Sequence, residues 1–230
     1  MQSPYRELKE RALAANLEIP RRGLAIYTFG NVSAFDPGRG VLAIKPSGVA
    51  YDVLGVDDMV VLDLEGRILE GTLRPSSDTN THLVLYRHFK GVGGIAHTHS
   101  TYASGWAQAG EPLPLLGTTH ADHLAADVPC TEVMSVAAVQ GDYETETGNQ
   151  ILAAISDPLV VPMVLVAGHG PFTWGESPEK AVYHAAVLEE IARMAFVART
   201  LNSEAPRLPE HLVRKHYERK HGKGAYYGQK

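Results

Sequence analysis

The sequence predicts an α/β (α+β) fold: one domain with a central, mostly antiparallel β-sheet flanked by helices. Three observations lead there. Short apolar runs bounded by turn residues occur beside longer stretches with helical spacing. Asp36-Pro37-Gly38 and Glu65-Gly66 join neighbouring runs closely enough to be hairpins, which parallel strands cannot use. No linker divides the 230 residues, so 1–230 is read as a single domain.

The elements follow in order. Residues 5–16 set Leu8, Ala12, Leu13 and Ala15 at helical spacing. Runs of strand character come next, at 24–29, 31–35, 41–44, 59–64 and 67–70. Ser76-Ser77-Asp78 supplies short polar side chains of the kind that cap a helix, here one running to about residue 88. An apolar run ending at His97 reads as a strand and is followed by a helix over about 102–109. Residues 117–122 are polar and read as a loop, and a helix over 144–154 precedes the apolar strand 160–166. Gly168-His169-Gly170 ends that strand, residues 171–174 form its hairpin partner, and helices over 178–201 and 209–220 complete the chain.

Composition narrows the chemistry. With 44% hydrophobic residues the chain can bury a substantial core. A single cysteine, Cys130, excludes an internal disulfide framework and a cysteine zinc knuckle, so any metal must rest on histidine and carboxylate. A formal charge of −5 argues against nucleic acid as a partner. No stretch approaches the ~18 apolar residues of a membrane span, and the first ten residues are polar and mixed in charge, unlike a secretory signal. A cytoplasmic protein is expected.

The chemistry-bearing residues fall into separate groups. His97 and His99 are two apart, so on extended backbone they share a face, as two ligands of one metal must. His169, between two glycines after an apolar strand, offers a third imidazole. Asp78 is either a plain helix cap or a carboxylate ligand. His82, His88, His120, His123, His184 and His211 carry no comparable context and read as structural. Gly30-Asn31, Lys45-Pro46-Ser47-Gly48 and Pro75-Ser76-Ser77 are loops of small hydrogen-bonding residues that together suit a phosphate. The basic segment 214–223, followed by Tyr226-Tyr227, is either a solvated tail or a dock for an anionic substrate.

Those motifs, with Gly117-Thr118-Thr119-His120-Ala121-Asp122, Glu144-Thr145-Glu146-Thr147-Gly148-Asn149, His169-Gly170-Pro171-Phe172 and the ending Ala225-Tyr226-Tyr227-Gly228-Gln229, occur in one order over nearly the whole chain. In that order the chain resembles the L-ribulose-5-phosphate 4-epimerases of the class II aldolase family. The early motifs are shared by the wider family; Asp122 and the tyrosine pair are the more specific part.

The resemblance implies a three-layer fold and a zinc site made by Asp78, His97, His99 and His169, with manganese another candidate ion. It assigns Gly30, Asn31, Lys45, Ser47, Gly48, Ser76 and Ser77 to the phosphorylated substrate, and Thr118, Glu144 and His216 to supporting positions. Asp122 becomes one catalytic acid/base. Tyr227 becomes the other, reaching a neighbouring active site of a fourfold homotetramer on a C-terminal helix and tail of about 209–230. Where some epimerases carry His-Ser before the third histidine, this chain has Ala167-Gly168, and a contact behind the metal is lost.

The activity implied is epimerisation at C4 of a ketopentose 5-phosphate, L-ribulose 5-phosphate to D-xylulose 5-phosphate, as in L-arabinose catabolism. That carbon is not acidic, and no nicotinamide-binding fingerprint is present. The expected route therefore breaks and re-forms the C3–C4 bond, with the metal as Lewis acid. The alternatives are an L-xylulose-5-phosphate epimerase, an aldolase like L-fuculose-phosphate aldolase, and a non-enzymatic interaction module like the adducin head. An aspartate at position 78, where that aldolase has glutamate, favours the epimerase. The intact histidine trio argues against the module.

Overall fold

In strand β2 (Val41–Ile44) every residue is buried, Val41 and Ala43 on one face and Leu42 and Ile44 on the other, so the sheet must be covered on both sides. The computed structural model describes residues 3–228; Gln229 of the C-terminal motif and the outermost residues of the 1–230 domain lie outside them. Hairpins build most of the sheet. β1 (Asn31–Asp36) pairs with β2 around Asp36-Pro37-Gly38, and β3 (Val60–Asp63) pairs with β4 (Ile68–Glu70) around Glu65-Gly66. β6 (Met163–Val166) turns at 167–169 into β7 (Gly170–Gly175). β5 (Gly94–His97) joins the two halves, giving seven strands in the order β4-β3-β2-β1-β5-β7-β6 with every ladder antiparallel.

Helices cover both faces. α1 (Arg6–Arg21) and α7 (Pro178–Leu201) pack Ala12, Ala15, Ile19, Ala181 and Ala185 against Val32, Ala34, Ala43 and Ala96. On the opposite face α2 (Thr79–His88) and α6 (Tyr143–Ala154) pack Leu83, Leu85 and Ile151 against Leu42, Ile44, Ile95, Phe172 and Trp174. A third cluster joins α3 (Thr101–Ala109) to α7 and β6 through Ala103, Ala107, Leu188, Ile191 and Met163. α2 and α6 approach closely because residue 148 is glycine: a Cβ there would lie 2.6 Å from that of Val84. The expected three layers are present.

Three expectations need correction. Residues 24–29 are not a strand: Ile26, Tyr27 and Phe29 are exposed, Phe29 N–H bonds Ile26 O at 3.0 Å, and Tyr27 sits at φ +52°. With no partner strand beside them, these residues turn instead. Residues 117–122 are not a plain loop, since Thr118–Ala121 forms a one-turn helix, α4, with Asp122 N–H on Thr118 O at 2.9 Å. The first helix runs past Asn16 to Arg21, burying Ile19 in the core, and the buried Asn16 clamps β1, its amide spanning Val32 N–H and C=O at 2.8 and 2.7 Å. Two further short or terminal helices are α5 (Val136–Gln140) and α8 (Glu210–His221).

Candidate functional site

β-Sheet register assembles the first part of the site. His97, the last residue of β5, pairs with Asn31 on one side and Phe172 on the other. Gly30, at φ +75°, makes that pairing possible: a Cβ would fall 2.6 Å from His97 O. Phe172 stacks flat on the His97 ring, centroids 4.2 Å apart. His99 comes back to the same side, its Nε2 3.0 Å from His97 Nε2, and the β6–β7 turn delivers His169. Nitrogens of all three lie within 4.8 Å of one another.

The donor set fits a divalent cation. Two nitrogens sharing one tetrahedral zinc sit about 3.4 Å apart, near the observed pair distance. Burial pushes His97 down to about 3 and lowers His99 and His169 too, which keeps the imidazoles in the neutral, ligating form. His97 Nδ1 lies 3.0 Å from Pro171 O, and a carbonyl only accepts, so Nδ1 carries the proton and Nε2 keeps its lone pair. The fit is to histidine first. Asp78 stands beside the trio rather than within its compact group.

Asp78 is nonetheless not a plain cap. It occupies the position before α2, but its side chain makes no capping bond. Its Oδ2 instead accepts from Asn31 Nδ2 at 2.6 Å. Burial works to raise its carboxyl, but His97, His82 and the Asn31 hydrogen bond outweigh that, and Asp78 titrates below its ordinary range.

The polar loops meet next to this carboxylate. Ser47 N–H bonds Arg74 O and Ser76 N–H bonds Lys45 O, so the segments carrying Ser47, Gly48, Ser76 and Ser77 are stitched together at the N-terminus of α2. Lys45 is 2% exposed and has no carboxylate partner among the described residues; its Nζ has only two carbonyls at 3.4 Å and the Tyr51 ring at 4.9 Å. Burial lowers its ammonium. A buried cation without a counter-ion beside a helix N-terminus suits an anion.

Asp122 and Tyr227 form a second group. α4 and α8 bring Asp122 against His216 Nδ1 at 3.0 Å and against Arg219, whose guanidinium donates two bonds of 2.9 and 2.6 Å. Arg219 O in turn accepts from Tyr226 and Tyr227 N–H, and its guanidinium lies 5.3 Å from the exposed Tyr227 ring. The basic segment is therefore neither a solvated tail nor free; part of it is tied to Asp122. No hydrogen bond or ion pair among the described residues joins this group to His97, His99, His169 or Asp78. Thr118 starts α4, and Glu144 lies on α6 with its carbonyl accepting from Thr81 Oγ1; neither side chain hydrogen-bonds either group.

Sequence reading names neither Tyr143 nor Arg219 as a site residue. Tyr143 OH lies 3.5 Å from His169 Nδ1. An arginine on a helix three residues beyond His216 was legible as its neighbour on one face, but not its carboxylate partner 97 residues away.

Comparison with known proteins adds identity to geometry. Residues 10–196 match the class II aldolase and adducin N-terminal domain family. L-ribulose-5-phosphate 4-epimerase UlaF of Salmonella paratyphi B is 51% identical over 226 residues, covering 97% of this chain and 99% of that protein. Among solved structures, an L-fuculose 1-phosphate aldolase superposes with a TM-score of 0.79 at 26% identity, over 95% of this chain and 97% of that one. L-fuculose-1-phosphate aldolase from Thermus thermophilus gives 0.66, also at 26%, over 87% and 98%.

Proposed function

The chain belongs to the class II aldolase and adducin N-terminal domain family, and from that premise we propose that it is an isomerase, a 4-epimerase of L-ribulose 5-phosphate and D-xylulose 5-phosphate. The observation that carries the reading is the convergence of three neutral imidazoles, in a chain that also buries Lys45 without a carboxylate partner among the described residues. His97, His99 and His169, completed by Asp78, would hold a divalent cation, zinc or manganese. Such a cation supplies Lewis-acid stabilisation of the charge developing on the sugar's C2 and C3 oxygens. Lys45, Gly30, Asn31, Ser47, Gly48, Ser76 and Ser77 take the 5-phosphate.

C4 carries no acidic proton, so inversion there needs its bond to C3 broken and remade. A base removes the C4 hydroxyl proton, the C3–C4 electron pair stays with the three-carbon fragment, and glycolaldehyde phosphate is released within the site. That aldehyde turns its other face, the bond re-forms, and a proton returns to the C4 oxygen. Two proton-transfer groups on opposite faces are required; Asp122 and Tyr227 are assigned to them. By the family resemblance Tyr227 would reach in from a neighbouring subunit, with the working unit a homotetramer that has its sites between subunits. Thr118, Glu144 and His216 support the sugar there. No helix among the described residues is long and apolar enough to cross a membrane, consistent with a cytoplasmic enzyme.

Proton NMR of L-ribulose 5-phosphate and of L-xylulose 5-phosphate with the purified protein, before and after chelator treatment, tests the reading. Chelator-sensitive appearance of D-xylulose 5-phosphate from the first sugar is expected. Conversion of the second sugar alone would reassign the substrate. Net condensation of dihydroxyacetone phosphate with an aldehyde, and no epimer, would make it an aldolase.

A further inference from the structure

His82 is fully buried on α2, and nothing in the proposed chemistry uses it. Its Nδ1 lies 2.7 Å from Ser33 Oγ, which is itself 2.7 Å from the buried Tyr86 OH; Tyr86 OH also reaches Ser33 O at 3.2 Å. Its Nε2 has no partner, though buried polar atoms almost always find one. A second buried orphan, Asn31 Oδ1, lies on the same strand as Ser33, two residues away and on the same face. Across from this strand, Asp78 and His82 are one helical turn apart, and His82 N–H bonds Asp78 O at 3.1 Å. Asn31 thus meets Asp78 while Ser33 meets His82, and the two orphaned atoms belong to this square.

We propose that His82 is a positioning residue for the divalent-cation site, donating from Nε2, through a buried water shared with Asn31 Oδ1, to the Asp78 carboxylate. The proposal rests on Asp78 being a ligand. Nδ1 is already occupied by Ser33. The Ser33 hydroxyl can donate to Nδ1, which leaves Nε2 to carry the proton. The water satisfies both orphans at once and leaves Asp78 held from two sides, by Asn31 Nδ2 and from the His82 side. Phe172 stacks on His97 and meets the His82 ring in a T-shaped contact at 6.0 Å, and His82 is outside the compact histidine group, so His82 acts on the carboxylate and not as a ligand.

The two nitrogens can be separated by substitution. Asparagine retains an amide near Nδ1, and glutamine places one near Nε2. Zinc dissociation constants of the whole protein would be measured by competition with a chromophoric chelator, for His82→Asn, His82→Gln, Ser33→Ala and Asp78→Asn. Thermal unfolding of each apo-protein serves as the folding check. Asp78→Asn and His82→Asn should each weaken zinc binding about 10-fold or more, and His82→Gln should recover most of it. Ser33→Ala, which frees the tautomer, should fall between and stands in for His82→Asn where that variant does not fold. Wild-type affinity in His82→Asn, or equal loss in His82→Gln and His82→Asn, overturns the role of His82. Wild-type affinity in Asp78→Asn instead overturns the ligand assignment beneath it.

Discussion

Lys45 shows what one side chain contributes when its usual partner is withheld. It is 2% exposed with no carboxylate partner among the described residues, burial lowers its ammonium, and a bound phosphate would offset the cost of holding charge there. A charged hydrogen bond of that kind is worth about 1.5–3 kcal/mol, so Lys45→Met should raise KM roughly 10- to 150-fold. Steady-state kinetics beside a metal assay checks this, since metal content should not move. His97 and Tyr227 should separate in the opposite sense. His97→Asn is expected to lower bound metal and turnover together. Tyr227→Phe should reduce epimerisation by at least about 100-fold and leave metal content intact, as measured by elemental analysis. Retained metal in His97→Asn would remove that residue from the ligand set. The histidine pair drew notice from its spacing alone, whereas Lys45 and Tyr227 were assigned only through the family resemblance, because a lysine in a turn and a tyrosine near a terminus carry no chemical meaning without context. The role proposed for His82 was not legible, because an unpartnered nitrogen exists only once its neighbours are in place.

Elements set how firmly those side chains are held. α2 carries Asp78 and closes on α6 through Gly148, so Gly148→Ala should overpack that contact and cost about 1–3 kcal/mol. Urea unfolding reads it, with unchanged stability counting against so tight an approach. α8 is held differently, by its grip on Asp122. Burial pushes the Asp122 carboxyl up, but hydrogen bonds from Arg219 and His216 prevail and bring it below its ordinary range. A depressed carboxyl stabilises the folded state above the unfolded value of about 3.9 and loses that contribution as pH falls through the folded one. Asp122→Asn should therefore lower the urea midpoint near neutrality, and its gap from wild type should close on acidification below about pH 4. A gap that persists in acid would show that charge is not what holds α8. The strand expected at 24–29 has its own lesson. Apolar content and β-branching made it plausible, yet no strand among the described residues pairs with it, and Tyr51 OH instead holds the turn by Phe29 O and Gly30 O at 2.8 and 2.9 Å.

At the scale of the whole molecule, two groups of candidate residues are joined by no hydrogen bond or ion pair among the described residues, and a heterologous interface would unite them. Mixing His97→Asn and Tyr227→Phe subunits tests this directly. Random assembly leaves about a quarter of such shared sites with both native residues, so activity should return to roughly that fraction. No recovery on mixing would place each site within a single chain. Motif order, the hairpins, the long helices and the three histidines were all readable from consecutive residues, because turn chemistry, periodicity and ligand type are local properties. Tertiary structure alone decided that Asn31, Asp78, His97 and Phe172 meet, that Asp122 belongs with Arg219, and that Asp78 faces the sheet instead of capping its helix. Those outcomes depend on strand register and on which face of the sheet each helix covers, and both are settled by packing between residues far apart in the chain.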